Sequence, residues 1–85
     1  MNPLVGLARA IANAALLLEF SDDDQIDADL AVQALEQMAS DLQALSPADQ
    51  QALSEVFKNI SSGYEDAAHA EFVACLGASL GLADG

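Results

Sequence analysis

Apolar residues recur along this chain at the spacing of an α-helix, and no segment sustains the apolar–polar alternation of a half-buried strand. β-Branched residues are few, so intrinsic preference and pattern agree on helix. Eighty-five residues with this single periodicity make one domain, residues 1–85, with a small core. The fold class expected is all-α, a compact antiparallel bundle of about four helices joined by short connections.

Local signals divide the pattern. Asn2 followed by Pro3 reads as a cap and a first-turn proline, opening a helix that runs to Leu18 or Phe20. Its apolar stripe is Leu4, Leu7, Ile11, Ala15 and Leu18, with Val5, Ala12 and Leu16 partly off it. So broad an apolar surface suits a central helix or one that also contacts a second subunit. Asp27 is the expected cap of a second helix, with Ile26 before it as a staple residue and Ala31, Leu35, Met38, Leu42 and Leu45 inward. Ser46-Pro47-Ala48-Asp49 supplies a cap, a proline and an acid near the positive helix end, and so starts a third helix. That helix turns Leu53, Val56, Phe57 and Ile60 inward and ends at Ser61-Ser62-Gly63, where glycine can take the left-handed conformation. A fourth helix starts near Tyr64 or Glu65 and buries Ala68, Phe72, Cys75, Leu76 and Leu80, with Gly77 and Gly81 weakening its last turns. The tail from Leu82 is loose, with Leu82 itself able to tuck against the bundle.

Charge sets the function classes. Fourteen Asp and Glu face two basic residues, Arg9 and Lys58, for a formal net charge of −12. Self-repulsion of that kind opposes a compact state. The chain is nonetheless 53% hydrophobic, which separates it from acidic disordered tails that lack the means to build a core. Direct nucleic-acid binding is disfavoured, because phosphate contacts need a basic surface. Residues 3–20 are almost wholly apolar, but no positive charge precedes them, Arg9 and Asn13 interrupt them, and alanine rather than leucine dominates. A cytoplasmic protein without a membrane role is therefore expected. One cysteine, Cys75, permits no intrachain disulfide.

The densest feature is Asp22, Asp23, Asp24, Asp27 and Asp29. A calcium loop of the EF-hand type needs glycine at its sixth position and an acid at its twelfth. Counted from Asp22 those places hold Asp27 and Gln33, so the spacing fails and no metal or other cofactor is assigned. Capping uses one or two of the aspartates, and the surplus asks for a cationic partner. Asp22, Asp23, Asp24, Asp27, Asp29, Glu65 and Asp66 are the candidate partner-binding residues. Arg9 reads as a tether to a carboxylate on a neighbouring helix, and Lys58 as an ordinary exposed residue. His69 can pair locally with Glu65 or Asp66. Cys75 reads as a buried structural thiol. No nucleophile–base pair or metal cluster is visible, so the chain is not expected to be an enzyme. Ser40-Asp41-Leu42 has neither the order nor the helix-start placement of the serine motif of acyl carrier proteins.

The Ala/Leu-rich first helix (Leu4 to Leu18), the acidic Ser21-Asp22-Asp23-Asp24, the Ser46-Pro47-Ala48-Asp49-Gln50 start, and the overall size and charge together resemble the small acidic α-helical immunity proteins of bacterial type VI secretion and contact-dependent toxin systems. The resemblance is architectural and aligns no motif residue by residue. It implies tight binding to a cognate toxin, a basic toxin or effector domain, often by blocking its active site. Some members are dimers. The alternative is a homodimeric structural or adaptor protein that self-associates through helix 1.

Overall fold

Helix α1 spans Pro3–Phe20, α2 Ala28–Gln43, α3 Pro47–Ile60, α4 Ala67–Ala74 and α5 Leu76–Ser79, with a 3₁₀ turn at Ser61–Gly63. This is a computed structural model that describes residues 3–22 and 24–83, and no strand occurs among them. The radius of gyration is 12.5 Å, close to the roughly 12 Å of a compact chain this long. The chain is thus all-α and compact, a helical bundle whose expected fourth helix is divided in two. Asn2, the expected first cap, lies outside the described residues, as do Asp23 and the last two residues.

The caps act as local chemistry dictates. The Asp27 carboxylate accepts from the Asp29 amide at 2.8 Å, and the Ser46 hydroxyl accepts from the Asp49 amide at 3.2 Å. Helix α3, with Leu53, Ser54, Val56, Phe57 and Ile60 buried, is the centre of the molecule, and α1, α4 and α5 pack against it.

The inward face of α1 differs from the expected leucine stripe. It consists of Ala8, Ala12 and Ala15, each fully buried, while Leu7 is 59% exposed and Leu17 60% exposed. Alanine brings helix axes to the short end of the usual spacing of about 8–10 Å, so α1 docks through its smallest side chains. The larger aliphatic residues beside the seam, Leu4, Ile11 and Leu16, are partly buried at its edges. By length and composition alone α1 could also cross a membrane.

Three further departures lie at the C-terminal end. The 3₁₀ turn extends α3, and among the described residues the left-handed glycine is Gly81 (φ 73°), not Gly63. Gly81 closes α5: its amide donates to Ala78 O at 3.0 Å and the Leu82 amide to Gly77 O at 2.9 Å. Leu82 is buried, and Ala83 is held by Gln50 Oε1 (3.0 Å) and the Ser54 hydroxyl (3.3 Å), so the segment expected to be loose is fastened through Ala83. The fourth helix begins at Ala67 and breaks at Cys75. The break turns Gly77 onto α3, where a methyl group would overlap Ser54 Oγ and sit 2.8 Å from its Cβ. Cys75 is consequently exposed rather than a buried thiol, and Ala68 is exposed too; Val73, Leu76 and Leu80 carry the inward face.

Overpacking the α1–α3 seam with Ala12→Leu, or the α3–α5 contact with Gly77→Ala, is expected to lower unfolding free energy by about 1–3 kcal/mol each. Leu17→Ala on the outer face of α1 is expected to change it by less than about 0.5 kcal/mol. Urea titrations monitored by circular dichroism check all three.

Candidate binding surface

Every described carboxylate, from Glu19 to Glu71, lies on an exposed residue. One ion pair forms among the described residues, Lys58 Nζ to Glu55 at 3.9 Å within α3. Arg9 does not make the expected inter-helix tether. It lies on the flank of α1 near the end of α3, exposed beside a shallow depression shared with Asn13, Ile60, Gly63 and Tyr64, and solvated there it requires no buried counter-charge. Among the described residues, ion pairing therefore leaves most of the negative surface uncompensated.

Of the candidate residues, Asp22, Asp24, Asp27, Asp29, Glu65 and Asp66 are all exposed, and Asp23 lies outside the described residues. After α1 the Asp22 carbonyl accepts from the Gln25 and Ile26 amides at 2.9 and 3.1 Å. Phe20 ends α1 and closes on α4, with its ring 4.7 Å from His69 and 5.6 Å, edge-on, from Phe72. This stack ties the end of α1, two residues before Asp22, to the first turns of α4, whose cap is Asp66. Asp27 and Asp66 are engaged as caps. Asp22, Asp24, Asp29 and Glu65 carry no such structural duty. Among the described residues no three His, Cys, Asp or Glu side chains converge as a metal ion requires.

Asp66 accepts from the Ala68 amide at 2.8 Å and the His69 amide at 3.2 Å. The hydrogen bond from His69, then that from Ala68, hold its carboxyl below the usual carboxylate range; slight desolvation opposes them and the His69 charge adds a little. His69 meets Asp66 through its backbone, while its ring lies on Phe20.

Two grooves flank α2, and nothing in the sequence pattern announced them. Helix α2 packs chiefly along α1 and has a single buried residue, Ala31; Leu35, Met38 and Leu42 are half-buried. On one side, Glu19, Leu35, Glu36, Ala39, Phe72, Leu76, Ser79 and Leu80 line a groove of about 430 Å³. On the other, Leu4, Leu7, Ile11, Leu42, Leu45, Asp49 and Leu53 line one of about 420 Å³. Two glutamines fix the far end of α2. Gln43 Nε2 donates to Leu80 O at 2.8 Å, and Gln50 Nε2 donates to Gln43 O and Leu45 O at 3.0 and 2.8 Å.

No protein-family model matches the chain, and no curated protein or solved structure shows significant similarity to it.

The Asp66 cap gives a pH test with a defined sign. A carboxylate whose folded-state pKa is depressed adds stability above its unfolded value of 3.8, and that stability is lost as pH falls through the lower folded value. Wild type is expected to melt above Asp66→Ala at pH 7, with the gap closing below pH 3.8. Calorimetry of both proteins across that range checks it; a gap independent of pH would remove the carboxylate from the α4 start.

Proposed function

We propose that this chain is a binding protein, not an enzyme, that neutralises a cationic partner protein by charge and shape complementarity. The supporting observation is an exposed carboxylate surface, with one ion pair among the described residues, carried on an apolar helical frame. Such a surface steers a basic partner into encounter and speeds association at low salt. The type of protein that fits is a small acidic immunity protein of a contact-dependent or type VI toxin system, acting in the cytoplasm of the cell it protects against a basic toxin domain. Asp22, Asp24, Asp29 and Glu65 are the best-suited contact residues, since they are exposed and free of capping duty. The bundle belongs to the antiparallel four-helix kind, its last member divided at Cys75.

A second reading has its own observation. Helix α1 exposes Leu7, at the edge of the second groove beside α2, and Leu17, and Arg9 is the one charged residue between Pro3 and Leu18. Two copies of so acidic a chain would meet with least repulsion there, giving a homodimeric adaptor.

Capture from cells that make the protein, followed by an assay of the purified partner, tests the first reading. The expected result is a basic partner whose activity falls on adding this chain. Asp22→Asn with Asp24→Asn is expected to slow association about two- to tenfold at low salt while leaving the helical circular dichroism unchanged. An acidic partner, a partner whose activity is unaffected, or association rates insensitive to both the variant and salt would contradict it. A concentration-independent monomer in sedimentation would remove the second.

A further inference from the structure

The groove between α2 and the α4–α5 segment has an apolar floor and a carboxylate from each of two helices. Leu35, Phe72, Leu76 and Leu80 contribute the floor, Glu19 comes from α1 and Glu36 from α2. Glu19 and Glu36 are exposed, and neither is ion-paired within the described residues. Of the chain's two cations, Lys58 pairs with Glu55 and Arg9 lies beside Tyr64, so neither lines this groove. A volume near 430 Å³ falls within the range of about 300–1,000 Å³ typical of ligand sites.

Few occupants match both an apolar floor and an acidic rim. Arginine does, because its stem covers apolar surface while its guanidinium reaches carboxylates at the edge. We propose that this groove is a docking site for a segment of a partner protein that presents an arginine beside apolar side chains, with Glu19 and Glu36 receiving the guanidinium. The proposal rests on the cationic-partner reading above and gives that partner a place to seat. The groove on the other side of α2 has one carboxylate, Asp49, and is matched less well to a cation.

The test is a titration of the isotope-labelled full chain by nuclear magnetic resonance at low salt. The probes are a synthetic helical peptide with leucines on one face and arginines beside them, its counterpart with every arginine replaced by glutamine, and spermidine. The arginine peptide is expected to shift amides of residues 35–39 and 72–80. Glu19→Gln and Glu36→Gln are each expected to weaken it about three- to tenfold. Ser79→Arg, which supplies a competing cation at an exposed lining position, is expected to abolish the shifts while retaining the helical signal. Equal binding of the glutamine peptide, unchanged affinity in both Gln variants, or the same shifts and affinity with spermidine would overturn the proposal. Shifts confined to residues 22–29 and 65–66 would overturn the groove but leave the cationic-partner reading standing; no binding of any cationic probe would overturn both.

Discussion

The structure depends on one seam, the alanine face of α1 laid on α3. Ala8, Ala12 and Ala15 recur at i, i+4 and i+7 and are completely covered. Alanine loses no side-chain rotamer freedom on burial, so this contact forms at little entropic cost. It brings α1 close to the residues that supply the bulk of the core, Leu53, Phe57 and Ile60. A chain this short has little apolar area to spare, and efficient close packing substitutes for volume.

The same economy leaves α2 half-docked. With its inner surface against α1, it covers only part of the remaining apolar faces of α3, α4 and α5, and grooves open on both sides. Side-chain amides hold it in that position, Gln43 to the end of α5 and Gln50 to the end of α2 and to Ala83. Tyr64 plays a similar part on the opposite flank, donating its hydroxyl to Asn13 Oδ1 at 2.8 Å and fixing the α3–α4 connection to α1. Between these ties, carboxylates occupy the solvent side, where repulsion between them is screened by water and salt.

What could be read from the sequence was local. Asp27 and Ser46 announce helix starts because a cap is satisfied within three residues, and both act as expected. The all-α class followed from periodicity. The inward face of α1 was hidden because alanine is apolar enough to be buried and small enough to be exposed, so the larger leucines drew the stripe away from the true seam. Gly63 and Gly81 are indistinguishable as closing residues until tertiary contact selects one; the carbonyls of α5 and the tie from Gln43 to Leu80 select Gly81. The break at Cys75 follows from the fit of Gly77 against Ser54, a contact across more than twenty residues that no window of sequence contains. The acidic candidates were legible as exposed charge, whereas the grooves were not, since they arise from how incompletely one helix docks.

If the α1–α3 seam is the foundation and α2 a partly docked cover, their stabilities must differ. Native-state hydrogen exchange measures this directly, amide by amide. Amides of residues 53–60 in α3 and 8–16 in α1 are expected to exchange only through global unfolding. Those of residues 32–43 in α2 are expected to exchange through a smaller opening of lower free energy. Protection of α2 equal to that of α3 would contradict the account, because a fully integrated α2 would leave no cause for the grooves beside it.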